Sequence, residues 1–272
     1  MHKAAKGDSD MSIRAEDMKY VGVGIPENWQ VAHAINPQAF LAAESMHDLL
    51  HKLARQPVQS SLQYVTRRLM IIGLDSLGAV TTLLLNGYSP DALRITRTIW
   101  EAAVTLAYLS TFPTKVDDFL DYSHIAAKQQ MDQADKDYPE ITKDITAERR
   151  AEIEAEYQRV KPRFMKGKKL RSTWSEKKIF DMAKATGREE LYKTFYKYAC
   201  GLTHLSASGL QLLTNEKSKD VDIAPTNEFL EVSLQMAHGA VLEMMADYND
   251  LAKLGFDDEI KDLVKVYHAA WD

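Results

Sequence analysis

Cysteine is nearly missing from this chain of 272 residues. Cys200 stands alone, which excludes an internal disulfide framework and fits a reducing, intracellular setting. No Gly-rich phosphate loop, nucleophile elbow or zinc-finger spacing occurs, so the commonest motif-level marks of nucleotide, acyl-transfer and structural-zinc chemistry are lacking. There is no useful β-alternation and no internal repeat. Positive charge is not in excess: the formal net charge is −5, which gives no bulk electrostatic reason to expect tight nucleic-acid binding. Lys3 and Lys6 are not followed by the apolar run of a secretory signal. The longest apolar stretch, Leu69 to Leu85, is short and carries Asp75, Ser76, Thr81 and Thr82, unlike a membrane span. The expectation is a cytoplasmic protein with no membrane partner, no cofactor and no metal.

Apolar periodicity of the helical kind is what the chain does have. The stretch GYSPDALRITRTIWEAAVTLAYL, residues 87–109, opens with Ser89 as a cap, Pro90 in the first turn and Asp91 beside the positive helix end. Apolar residues from Leu93 to Leu109 then go most of the way round, which places this helix at the centre of a bundle. Pro113 closes it. Arg97 and Glu101, at i and i+4, share one face. In apolar surroundings each charge would cost several kcal/mol if left alone, roughly the penalty known for unpaired buried ions. They are expected to pair with each other or with polar groups on neighbouring helices.

Residues 1–28 are polar, contain Gly7, Gly22 and Gly24, and predict a loose arm with a short extended piece at Tyr20–Ile25. Met11 offers an alternative start, which would make residues 1–10 a foreign leader. Helices follow at 37–56, with Leu41, Met46, Leu49, Leu50 and Leu53 inward, and at 58–86, where Gly73 and Gly78 permit close packing. A fourth is predicted over 114–137, with Phe119, Tyr122, Ile125 and Met131 on its apolar side. The stretch 138–173 is a charged, partly basic insertion, first an exposed helix and then a loop. WSEKKIFDMAKATG predicts a short capped helix ended by Gly187. Residues 188–214 form an aromatic-rich helix, Pro225 and Thr226 open one running to Asp250, and 257–270 form the last. The fold class is therefore all-α: a single domain, 37–272, of about seven or eight helices.

With these parts in place the chain resembles a bacterial helical family catalogued as domain of unknown function 5677. The matching residues are Arg97, Glu101, Ala102, Tyr108 and Leu109, then Tyr122, then Trp174, Ser175 and Ile179, then Tyr192, Tyr198 and His204 with Ser206. The resemblance spans roughly residues 40–215. Cys200 stands where the family usually has serine, four residues before the His. The resemblance carries no activity. It implies that Arg97, Glu101 and His204 belong to one constellation.

Two readings of that constellation stay open. In one, Arg97, Glu101, Tyr122 and His204 line a polar pocket in which Glu101 and His204 serve as catalytic groups, with Arg97, Tyr122, Tyr198 and Trp174 binding a ligand. In the other they form a hydrogen-bond network that fixes helix register. The first would suit a ligand-sensing or interaction module, dimerising through an apolar helix face. It would also suit a metal-independent ribonuclease like the HEPN type, although Lys197 stands where that motif needs Arg, with six residues between it and His204, and lacks the bidentate fork. Cys200, one turn from His204, reads as a nucleophile or as packing. Glu44, His47 and His51, and Asp121 with His124, have metal-ligand spacing but not the full set that a bundle site requires, and read as solvent-facing. From Arg159 to Lys178 nine basic residues, among them Lys168 and Lys169, face one acid, Glu176. That loop is either a solvated linker or a site for phosphate or nucleic acid, with Phe164 and Trp174 to stack on.

Overall fold

The computed structural model describes residues 26–204, 206–213 and 226–271, apart from the side chains of Ser208 and Leu212. The helices are α1 Pro26–Ile35, α2 Pro37–Ala54, α3 Ser61–Leu85, α4 Ser89–Thr111, α5 Val116–Asp137, α6 Pro139–Thr142 and α7 Ala147–Val160. After them come α8 Ile179–Ala185, α9 Glu189–Leu191, α10 Lys197–Thr203, α11 Ala207–Leu212, α12 Leu230–Ala252 and α13 Asp257–Trp271. A π turn over Tyr192–Tyr196 joins α9 to α10. Two two-residue strands, β1 Met165–Lys166 and β2 Lys169–Leu170, form the one hairpin among the described residues. The fold is all-α, as the periodicity requires. Tyr20–Ile25, the Met11 question and Pro225 lie outside the described residues. Pro26–Asn28, expected in the loose arm, are the first turn of α1, and Asn28 donates to the Leu85 carbonyl at 2.9 Å.

Helix α4 is central because apolar side chains surround it. Leu93, Ile99, Trp100, Val104 and Leu106 are all buried, and α3 and α12 pack along its length. With α2 and α13 these helices enclose the main core. Inward residues of α12 fall where the pattern put them, from Phe229 to Tyr248. Gly73 of α3 meets Met244 of α12, so the close approach expected there is real; Gly78 meets only the His47 ring edge. Two expectations change. Leu41 is 49% exposed, and Phe40, Ala42 and Ala43 take the inward positions instead. Ser89 is not the cap: Tyr88 precedes the helix, and the buried Ser89 hydroxyl accepts from the Phe229 amide at 3.3 Å, tying α4 to the start of α12.

By length and composition α3 is long and apolar enough to cross a membrane, with a mean hydropathy of 1.6 over its most apolar window, a third of it buried. In the fold its inner face packs on α4 and α12, while Arg68 and Asp75 are exposed on the other.

The insertion is more ordered than a helix followed by a loop. Thr146 caps α7, its hydroxyl accepting from the Arg149 amide. Val160, Phe164 and Ile125 of α5 make a small separate core, joined by Tyr122, Tyr157 and Leu170.

A buried histidine and a half-buried aspartate set opposite pH dependences. Burial pushes the His238 imidazole on α12 down to about 3, and its Nδ1 accepts from the Trp271 indole at 3.3 Å. The unfolded chain therefore takes up a proton below about pH 6.5 that the fold refuses, so this group's share of stability falls as pH drops. Asp247 is raised to about 6, first by burial and then by Glu243 and Asp250, against the lowering by Arg188. Its share runs the other way, lost as pH rises from about 4 through 6. Comparing wild type with His238→Gln isolates the first. Between pH 7.5 and pH 5 the wild type should lose about 2 kcal/mol more than the variant in urea unfolding; parallel losses would show that His238 takes up its proton in the fold as readily as in the unfolded chain.

Candidate functional site

One face of α4 is not apolar. Asp91, Arg94, Arg97 and Glu101 form a row one turn apart, and the row faces the π turn and α10. Arg94 pairs with Asp91 and donates from Nε to the Leu202 carbonyl at 3.2 Å. Arg97 donates from Nε to Cys200 Sγ at 3.2 Å, and from Nη2 to Glu101 Oε1 at 2.7 Å and Tyr196 Oη at 2.8 Å. Its guanidinium also lies over the Tyr196 ring, 4.9 Å from the centroid. The Tyr196 hydroxyl donates in turn to Glu101 Oε1 at 2.5 Å. Arg97, Tyr196 and Glu101 thus form a closed triangle, with Cys200 one helical turn beyond Tyr196.

The electrostatics agree with that donor order. Burial works against the Arg97 charge, but Cys200, Glu101 and Tyr196 outweigh it and raise its pKa. Burial and then the Glu101 carboxylate push the Tyr196 phenol far up, so it stays protonated and donates. The side chains of Arg97 and Glu101 are 17% and 33% exposed, so the pair sits at the edge of the core. The expectation of a pair inside apolar surroundings holds for Arg97 better than for Glu101.

The rest of the expected constellation is not brought together. Tyr122 donates instead to the Arg171 carbonyl at 3.1 Å and packs edge-on against Phe164 at 5.3 Å, in the small core of the insertion. Burial raises its phenol pKa, and Arg171 opposes this. His204 is exposed at the last turn of α10, where its amide bonds back to Cys200, so Glu101 and His204 do not form one catalytic pair. Tyr198 lies near Phe229, 6.2 Å between ring centres, and burial raises its pKa. Trp174 is held between Phe119 at 5.1 Å and Tyr108 at 6.0 Å, which removes it as a free stacking surface. Phe164 is fully buried, with the same consequence. Lys168 and Lys169 are exposed on the hairpin, away from the triangle in the contact network.

Chain order alone missed Tyr196, the residue that closes the triangle. The available signal was its i, i+4 relation to Cys200 within the aromatic run. The π turn that carries it was also missed; such turns mark functional positions more often than regular helix does. Tyr192 and Tyr196 stack at 4.9 Å across that turn and rest on Trp100, 6.0 and 4.8 Å away. Beyond it α10 crosses α11 so tightly that a Cβ on Gly209 would stand 2.0 Å from the Gly201 carbonyl oxygen.

A family model described as a family of unknown function, DUF5677, matches residues 63–221, more than half of the chain. The chain belongs to the DUF5677 family. No curated protein and no solved structure matches it. The DUF5677 match takes in α3 through α11, and so the whole polar row and its partners; α12 and α13, which complete the core, lie beyond it.

Metal chemistry finds no built site here. Among the described residues no group of three His, Cys, Asp or Glu is placed to hold an ion. His47 and His51 meet edge to face at 4.7 Å beside a groove of about 260 Å³ that Glu44 and Leu77 also line. Asp121 is taken by Arg159 and Arg163, at 3.1 and 3.0 Å, and His124 faces Glu156 at 3.6 Å.

The triangle makes a quantitative claim. Tyr196→Phe should cost about 1–2 kcal/mol, as for one hydrogen bond to a charged group. In a double-mutant cycle with Glu101→Gln the two changes should couple by about 0.5–2 kcal/mol. Tyr122→Phe with Glu101→Gln should add within roughly 0.5 kcal/mol, since the two sites are separate. Coupling of the second pair but not the first would refute the assignment.

Proposed function

We propose that this DUF5677 protein is a non-catalytic binding module, and that the seam between α4 and the π-turned α9–α10 helix receives its ligand or partner segment. The observation that carries this reading is the Arg97–Glu101–Tyr196 triangle. It is a charged, hydrogen-bonded cluster on the one polar row of a largely buried helix, open to solvent on the Glu101 side. Arg97 Nη1 and Glu101 Oε2 lie outside the bonds described, so a ligand presenting one acceptor and one donor fits both. Carboxylate and amide groups have that chemistry. A ligand engaging them would load the π turn through Tyr196, which gives the module a way to change shape on binding.

A catalytic reading has less support. Cys200 is turned onto Arg97, and His204 sits at the exposed helix end rather than against Glu101. The test uses the Arg97 Nε–H, sheltered on Cys200, as an NMR reporter during titration with acetate- and acetamide-bearing fragments. Expected are shifts at Arg97 and at the amides of Tyr192–Thr203, abolished in Arg97→Lys. No shift with any fragment would count against the proposal, and cleavage of single-stranded RNA that is lost in His204→Ala would replace it with the ribonuclease reading.

A further inference from the structure

The basic run of the insertion separates in the fold into two kinds of charge. Its arginines are engaged. Arg159 lies 3.1 Å from Asp121 and 2.7 Å from Glu156, and Arg163 lies 3.2 Å from Asp118 and 3.0 Å from Asp121. Arg171 stacks over Phe164 at 5.0 Å and donates to the Arg163 carbonyl at 2.8 Å. It also lies 3.8 Å from Glu176.

The lysines of the hairpin are different. Lys166, Lys168 and Lys169 are all exposed, and no ion pair is formed by them among the described residues. Register places Lys166 directly opposite Lys169. Like charges facing each other across an antiparallel pair are destabilising, so the arrangement lacks a purely structural reason. Lys168 adds a third cation in the turn, next to Gly167, whose φ of +62° is what lets so tight a turn form. The other cross-strand pair, Met165 with Leu170, has its side chains on the opposite face, and Leu170 packs into the small core with Phe164. Just below, the Arg171 amide donates to the Phe164 carbonyl at 2.9 Å. The hairpin is therefore anchored at an apolar base and presents a tip of lysine and glycine alone.

We infer that this tip docks on the phosphodiester backbone of single-stranded nucleic acid. Three ammonium groups on a rigid mount suit a chain of phosphates, and the bound anion would relieve the Lys166–Lys169 repulsion. Phe164 is fully buried and the half-buried Trp174 is held against Phe119, so the contact is electrostatic and indifferent to sequence. With a net charge of −5 on the whole chain, a flexible strand that touches the tip alone is the better fit, because a stiff duplex cannot bend to confine its contact to one hairpin. A bilayer is the poorer fit, since the tip offers no aromatic or aliphatic side chain to enter it. The inference is independent of the α4–α10 seam.

The test is fluorescence anisotropy of a labelled oligothymidine with the full chain across a salt series. Binding should weaken with salt with a log–log slope of about −2, as expected for three phosphate contacts to a single strand. Lys166→Ala/Lys168→Ala/Lys169→Ala should lower affinity by at least about tenfold and remove most of that slope. Lys261→Ala/Lys265→Ala, which removes two α13 lysines paired with Asp258 and Asp262, should change neither. Lys168→Glu alone, which leaves the anchoring pair untouched, should act in the same direction as the triple variant. Binding that is absent, or unaffected by the hairpin variants, overturns the inference. So does hairpin-dependent binding to phosphatidylserine vesicles in preference to the oligonucleotide.

Discussion

Arg97 occupies the one flank of α4 that the core does not fill, and three of the molecule's choices meet at its guanidinium. The charge is needed there because Glu101 follows one turn later on the same face, and two ionisable groups at a core edge are tolerated only in each other's company. The pair alone would leave polar atoms beside the aromatic rings of Trp100 and Tyr192. Tyr196 resolves this: its ring covers the guanidinium and its hydroxyl links both charges. Position then matters. Tyr196 ends the π turn, and α10 continues from it to place Cys200 under Arg97 and the Leu202 carbonyl near Arg94. The family match ends before α12, but α12 packs on α4 and completes the core against which the polar row is set.

Much of the helical frame was legible in the sequence, for reasons that hold residue by residue. Residues 87–109 announce a central helix because their apolar positions leave no polar face except the row through Arg97. The inward set of α12, from Phe229 to Tyr248, follows the helical period closely. Local ends are less certain. Ser89 looks like a cap, yet its hydroxyl is drawn to the Phe229 amide, because the start of α12 brings a donor there that the local sequence cannot announce. Leu41 and Phe40 exchange roles for a similar reason: neighbouring apolar residues both fit the period, and the partner helix decides between them.

The site was legible only in half. Arg97 and Glu101 are readable as a pair because both lie on one helix at a spacing that forces contact. Their third partner comes from another element, and no periodicity says which helix faces which. Chain pattern pointed to Tyr122 and gave Tyr196 no distinction from the other tyrosines of its aromatic run. The insertion decides the matter, since Phe164 and Leu170 capture Tyr122 and leave Tyr196 to the pair. A π turn is likewise invisible beforehand, since nothing in the residue pattern of Tyr192–Tyr196 sets it apart from regular helix. His204 falls at an exposed helix end because α10 stops at Thr203, between Gly201 and Gly209, where α10 and α11 cross closely.

The central claim is that Arg97 fastens the π-turned helix to the core as a unit that can loosen without the rest. Hydrogen exchange by mass spectrometry on wild type and Arg97→Leu measures this directly. The account predicts that amides of Tyr192–Thr203 exchange about tenfold faster or more in the variant while α3 and α12 keep their protection, a local opening of over roughly 1.4 kcal/mol. Unchanged exchange in that segment, or equal acceleration across all three regions, would contradict it.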